Sequence, residues 1–254
     1  MKANYHTHTY RCQHASGSDR EYVENAIAGG MEVLGFSDHC PFVFKNGYRS
    51  SMRMSARDID GYFSSLLDLK QEYANDITIY IGLEAEYIER LNHTLDELLE
   101  GYPLDYMIMG QHYFEPEYRG RYVGSNGRPG FLTEYVDSVI KGLDTGKFKY
   151  LAHPDLPRTA PGTDEYYEQY RRLCMYLKEH DIPVEYNILG FHENRWYPSD
   201  EFFEIAASVG NKLIIGVDAH EPWALSDRKL QNEALQTAKQ YGMEIIEFLP
   251  GLGK

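Results

Sequence analysis

The chain has 254 residues, of which 39 are acidic and 25 basic, for a formal net charge of −14; 43 % of residues are apolar and 25 % charged. This composition fits a single globular domain over residues 1–254 with enough apolar material for a full core. It argues against nucleic-acid binding through a broad basic surface, and no stretch approaches the ~20 continuous apolar residues of a membrane helix.

Three cysteines, Cys12, Cys40 and Cys174, show no pairing pattern, and the opening residues carry no apolar signal-peptide core. A cytoplasmic protein without a disulfide framework is expected.

In chain order, the first predicted strand is NYHTH (4–8), followed by a helix over 18–30 that opens on a Ser/Asp cap and closes in glycines. VLGFSDH (33–39) reads as the second strand, and residues 55–76 place apolar side chains three and four apart, as an amphipathic helix does. Strands at 77–87 and 106–112 precede a stretch rich in glycine and charge, 114–130, which reads as a long loop. Helix 131–146, strand 149–155, helix 163–181, strand 182–187, helix 199–210, strand 213–220, helix 226–242 and strand 244–249 complete the chain. Strands alternating with helices predict a parallel sheet with helical crossovers. Seven or eight such units in one chain of this size predict a (β/α) barrel. No glycine-rich phosphate fingerprint follows the first strand, which argues against an open dinucleotide-binding sheet.

The strand ends carry the chemistry. The first run stops at His6 and His8, the second at Asp38 and His39, the third carries Glu84 and Glu86, and the fourth stops at His112. The fifth ends in His153 and Asp155, the seventh in Asp218 and His220. In a parallel barrel these ends share one face. The spacing His6-x-His8 puts both rings on one side of a strand, and Asp218-x-His220 repeats it. Neutral imidazole together with carboxylate suits Zn²⁺, Mn²⁺ or Fe²⁺. Each residue alone has an ordinary reading as a core or surface histidine, a solvated glutamate or a helix cap; their shared position favours a metal cluster. His93 and His180 read as surface residues, His192 stays unassigned, and the cysteines read as small buried fillers.

HTH (6–8), His14, SDH (37–39), GLEAEY (82–87), GQHYF (110–114), HPD (153–155) and GVDAH (216–220) resemble the ordered motifs of the PHP (polymerase and histidinol phosphatase) superfamily over nearly the whole chain. HPDLPR (153–158) and VEYNILGFHENRWYPSDEF (184–202) are similar to its histidinol-phosphate phosphatase branch. The resemblance implies a distorted (β/α)7 barrel holding three divalent metal ions. His6, His8, Glu84 and Asp218 would hold the first. Glu84 would bridge to a second, completed by His112 and His153. His14, His39 and His220 would hold the third. It further implies hydrolysis of L-histidinol phosphate in histidine biosynthesis; another small phosphate ester, a nucleotide or a phosphotyrosyl protein is the alternative substrate.

A site that is locally cationic within an acidic protein favours a phosphate ester, and a metal-bridging water acidified to a pKa of about 7 would supply the nucleophile. Arg158 and Arg195, after the fifth and sixth strands, are expected to hold phosphate oxygens. Asp38 and Asp155 are candidates for general-acid or ligand-orienting work. Glu115, Glu117 and Tyr118 in the long loop offer a complement to a cationic group on the substrate.

Overall fold

A computed structural model describes residues 1–125 and 127–252. Eight parallel strands are hydrogen-bonded in chain order: β1 (Ala3–Asn4), β2 (Val33–His39), β3 (Thr78–Ala85), β4 (Tyr106–Met109), β5 (Phe148–Leu151), β6 (Val184–Asn187), β7 (Lys212–Gly216) and β8 (Glu244–Ile246). The helices are α1 (Asp19–Ala28), α2 (Ile59–Glu72), α3 (Glu89–Leu99), α4 (Phe131–Leu143), α5 (Asp164–Glu179), α6 (Ile188–His192), α7 (Asp200–Val209), α8 (Trp223–Ser226) and α9 (Arg228–Lys239). None of the described helices is long and apolar enough to cross a membrane.

The curled sheet is drawn together differently at its two ends. At the C-terminal end of the strands the His8 amide donates to the Ala219 carbonyl at 2.9 Å and the Ala219 amide to the His6 carbonyl at 3.1 Å, so the segments beyond β1 and β7 pair directly. At the opposite end Glu244, Ile245 and Ile246 pair with Lys212, Leu213 and Ile214. There the amide of Leu249, just beyond β8, donates to the Tyr5 hydroxyl at 3.2 Å. The result is a (β/α)7 barrel with an eighth strand set against β7.

Tyrosine, which is abundant in the sequence, fills the barrel. Tyr5, Tyr106 and Tyr150 join Val33, Ile108 and Ile214 in the interior cluster. The Tyr106 hydroxyl donates to the carbonyls of Tyr5 and Phe36 at 2.8 and 2.9 Å. Its hydroxyl occupies the space that a Cβ on Gly35 would enter, at 2.3 Å, and its ring that of a Cβ on Gly82, at 2.4 Å. Aliphatic and aromatic residues from the outer faces of the strands pack under the helices in a second, larger core. Local signals agree with this framework: Ser18 and Glu21 form a reciprocal capping box at the start of α1, and Thr163 and Asp227 cap α5 and α9.

Two expectations are corrected. The helix α3 has no counterpart among the predicted elements; it starts without a side-chain cap and buries only Leu91 and Leu95, so its sequence pattern is thin. Strands β1, β3, β4, β5 and β7 also stop earlier than predicted, because residues carrying metal-binding groups leave the hydrogen-bonded ladder; β8 stops early too, while β2 and β6 end where predicted.

Candidate metal centre

The departure from the ladder is built into the local sequence. The Asn4 side chain donates to the His6 carbonyl at 3.0 Å and to the Thr7 hydroxyl at 2.7 Å, and accepts from the Val217 amide at 2.8 Å. It thereby takes over the role of backbone partners where β1 and β7 end. His153 and Asp218 have φ of 30° and 55°. Such values are uncommon outside glycine and are held only where the surroundings fix them; here they turn both side chains into the mouth of the barrel.

Eight of the nine predicted ligands are buried or nearly so, and His14 stands at the rim. Glu84, 1 % exposed, is the hub. His39 Nδ1 and His153 Nε2 lie 2.9 and 3.0 Å from its oxygens, and His6, His8 and His112 lie at 3.6, 3.6 and 3.7 Å. Asp218 Oδ1 is a second hub, 3.1 Å from His8 Nε2 and 3.4 Å from both His6 Nε2 and His220 Nδ1. The His14 ring stands 4.8 Å from that of His220 and 5.2 Å from that of His39. His14, His39, Glu84, His112, His153, Asp218 and His220 line a cavity of about 260 Å³ together with Met52, Tyr122, Leu189, Glu193, Arg195 and Tyr197, and His6 and His8 lie buried behind them. Larger hollows elsewhere on the surface contain no such convergence of donors.

The donor set fits divalent cations. His6 Nε2, both nitrogens of His8, His39 Nδ1, Glu84 Oε2, His153 Nδ1 and Asp218 Oδ1 are buried without a hydrogen-bond partner. Orphaned buried polar atoms are expensive, and imidazole and carboxylate atoms converging on one space satisfy a cation. His6, His8 and Glu84 offer ligand atoms within 4.8 Å of one another, as do His6, His153 and Asp218, and His8, His39 and His220.

The electrostatics agree. Burial works against ionising Glu84 and Asp218, yet the surrounding histidines hold both well below the usual carboxylate range. Burial and the neighbouring His8 push His220 down to about 3, and His39 also lies well below the ordinary histidine value, so both rings are neutral with a lone pair to give. For His8 burial is outweighed by Asp218 and Asp38, which raise it to about 9. The two hub carboxylates attract positive charge, and against the pull of burial they raise His6 as well as His8 above the ordinary histidine value.

Behind the ligands stands a row of acids. Glu185 accepts from His6 Nδ1 at 2.7 Å and from the His153 amide at 3.0 Å. Asn187 donates to Glu185 at 2.9 Å and to Asp218 at 3.1 Å. A carboxylate behind a ligating imidazole fixes its tautomer and raises its basicity. Sequence reasoning missed Glu185 and Asn187. The available signal was their parity in β6, where Val184 and Tyr186 pack in the outer core and the alternate positions face inward.

Several expected roles are not matched by position. Asp38 lies behind His8, 3.5 Å from its Nδ1, and accepts from the Thr9 hydroxyl and, at 2.8 Å, from the His39 amide. Asp155 accepts from the Ser199 amide at 2.6 Å, tying the end of β5 to the start of α7, and burial raises it to about 6. Neither lines the cavity, so neither faces a leaving group: Asp38 stands where it can orient His8, and Asp155 ties β5 to α7. Arg158 turns outward, its guanidinium 5.1 Å over the Trp196 ring beside a different hollow. Arg195 does line the cavity, with Nη1 donating to the Tyr197 hydroxyl at 2.6 Å and Nε to Glu193 at 2.7 Å. Glu117 is spent on Arg53 at 2.7 Å, Glu115 pairs with Arg90 at 3.7 Å, and Tyr118 packs against Phe44 and Tyr48. That loop therefore offers no free carboxylate from these residues to a cationic substrate. His93 pairs with Glu97 on the exposed side of α3, His180 ends α5, and His192 packs edge-on against Trp223.

The chain is 27 % identical over 255 residues to a Deinococcus radiodurans protein named "Probable histidinol-phosphatase", with 96 % of this chain and 95 % of that one covered. It is 23 % identical over 236 residues to the histidinol-phosphatase of Lactococcus lactis, covering 86 % and 84 %. Its fold matches the crystal structure of the Lactococcus lactis histidinol phosphate phosphatase, complexed with zinc, L-histidinol and phosphate, at a TM-score of 0.73 and 22 % identity, over 98 % and 96 % of the two chains. The PHP domain model matches residues 4–188, a span that holds every predicted ligand except Asp218 and His220, and the chain belongs to the PHP domain family.

Proposed function

We propose that the chain is a metal-dependent phosphomonoesterase that hydrolyses L-histidinol phosphate to L-histidinol and phosphate in histidine biosynthesis, in the cytoplasm. The observation that carries this reading is the convergence of seven histidines and two buried carboxylates at the mouth of the barrel, with ring nitrogens of His6, His8, His39, His112 and His153 left without a hydrogen-bond partner, at a cavity walled by Arg195. The curated relatives that cover most of the chain are named histidinol-phosphatases, which supports the substrate.

His6, His8, Glu84 and Asp218 would hold one ion; Glu84, His112 and His153 a second; His14, His39 and His220 a third. Zinc, manganese and iron all suit this ligand chemistry. When bound, such ions supply Lewis-acid stabilisation of phosphoryl oxygens and acidify water at neutral pH. The chain does the rest. Glu185, Asp38 and Glu86 stand behind His6, His8 and His112 and hold the rings in register. Tyr197 and Glu193 hold the Arg195 guanidinium at the wall, where its planar fork suits two phosphate oxygens. Tyr122 and Tyr197 flank His112 and His153 and narrow the approach for bulk water.

The test is a panel of phosphomonoesters after reconstitution with zinc, manganese or iron. The expected result is a kcat/KM for L-histidinol phosphate at least tenfold above that for p-nitrophenyl phosphate, nucleoside monophosphates and a phosphotyrosyl peptide, with three divalent ions per chain by elemental analysis. Preference for another ester would overturn the substrate, and a chain that binds no ion would overturn the whole reading.

A further inference from the structure

One buried guanidinium joins three loops of the metal-binding face. Arg53, in the connection from β2 to α2, is 1 % exposed. Its Nη1 and Nη2 donate to Glu86, just beyond β3, at 3.1 and 3.0 Å, and its Nε donates to Glu117, in the loop after β4, at 2.7 Å. The Cys40 carbonyl lies 3.5 Å from Nη1, and the guanidinium sits 4.9 Å over the Phe42 ring. Arg53 is anchored from behind as well, its carbonyl accepting from Gln13 at 2.9 Å.

A buried charge is tolerated when it is paired and its donors are used. Glu117 alone suffices to neutralise Arg53 and to tie the loop after β4 to the rest. Glu86 adds a second buried carboxylate, 1 % exposed, and leaves the group with an excess negative charge. What faces that excess is His112: Glu86 Oε1 lies 3.4 Å from its Nδ1, which has no hydrogen-bond partner, while its Nε2 points toward Glu84 at 3.7 Å.

We infer that Arg53 and Glu86 are positioning residues for the metal centre. Arg53 locks Glu86 in the one orientation that makes Oε1 the acceptor for a proton on His112 Nδ1, which leaves the Nε2 lone pair facing the cavity. The bidentate grip fixes the carboxylate plane, which a lysine at the same place would not do. The inference extends the row of acids behind His6 and His8 to the opposite side of the site, and it rests on the metal-centre reading.

Zinc titration against a competing chelator tests it, with folding checked by circular dichroism. The parent is titrated first; a parent that takes up no zinc would overturn the metal centre itself. Glu86→Gln and Arg53→Lys are expected to lose 10- to 100-fold in affinity for one zinc ion. Glu117→Gln, which weakens the loop anchor and leaves Glu86 on His112, is expected to melt earlier and to bind zinc within threefold of the parent. Unchanged zinc affinity in Glu86→Gln and Arg53→Lys, or an equal loss in Glu117→Gln, would overturn the positioning role and leave a structural ion pair. If Arg53→Lys fails to fold, Glu86→Gln decides alone.

Discussion

Gly110 follows β4, and its missing side chain is what lets Glu84 occupy the centre of the site. A Cβ at this position would lie 1.8 Å from Glu84 Oε1, 2.5 Å from Cδ and 2.9 Å from Cγ. The backbone of Gly110 is outside the left-handed region, so alanine meets no conformational obstacle there and the effect of Gly110→Ala is purely steric. Non-bonded atoms rest roughly 3.5 Å apart, so the carboxylate must retreat by about 1.5 Å. It has nowhere to go without abandoning His39 at 2.9 Å or His153 at 3.0 Å. A misplacement of about 1 Å costs on the order of 100-fold in rate, so kcat/KM for L-histidinol phosphate should fall at least 100-fold, equivalent to about 2.7 kcal/mol of transition-state stabilisation. The control is Gly61→Ala in the first turn of α2, where nothing lies within 4 Å of the added methyl. That change should leave turnover untouched and stabilise the fold by roughly 0.5–1 kcal/mol. Phosphate release from zinc-reconstituted protein, with melting curves on the same samples, reads both effects. A Gly110→Ala enzyme within threefold of the parent would mean that Glu84 does not sit where its hub role requires.

Stripping the protein with a chelator should lower its melting temperature by about 10 °C and zinc should restore it, since a ligand at a thousand times its Kd contributes roughly 4 kcal/mol and each kcal/mol moves Tm by about 2–4 °C at this chain length; a melting curve indifferent to both additions would count against the centre. Ser18→Ala removes the α1 capping box and should lower Tm by roughly 2–4 °C at neutral pH. Bonds from Ser18 hold Glu21 below the usual carboxylate value, so the box contributes above the unfolded glutamate pKa and fades as the pH falls through the folded one. The gap between parent and variant should therefore shrink in acid, and a gap that widens there would refute the assignment.

The candidate ligands were legible because the barrel imposes a rule that sequence alone can apply: parallel strands bring their C-terminal ends to one face. His6, His39, Glu84, His112, His153 and Asp218 obey it from six different strands or their extensions. What the rule does not say is how a side chain reaches inward once the ladder has ended. His153 and Asp218 do so from positive φ, and His6 does so because Asn4 replaces the missing backbone partners. Neither device follows from periodicity. Arg158 shows the opposite failure. It lies only five residues beyond His153, yet the chain between them turns away from the mouth and leaves the guanidinium on Trp196. Glu86 and Glu185 were hidden for a third reason. A carboxylate near a strand end reads as solvated unless its buried partner is known, and those partners, Arg53 and His6, come from 33 and 179 residues away in the chain.

The buried acids also bear on how many ions the centre needs. With Glu117 set against Arg53 and Glu193 against Arg195, five carboxylates remain in or directly behind the site: Asp38, Glu84, Glu86, Glu185 and Asp218, all 5 % exposed or less. A phosphate ester enters as about a dianion at neutral pH, which brings the negative total to seven. Three divalent ions carry six positive charges; two carry four. A low-dielectric pocket penalises an imbalance of that size heavily, and an ion that claims a histidine lone pair displaces any proton there. The charge count therefore sits nearer to three ions than to two, which supports the proposed set of three. It also explains how a chain with a net charge of −14 draws in an anionic substrate: the acids on the surface are solvated, whereas those in the barrel mouth exist to hold cations.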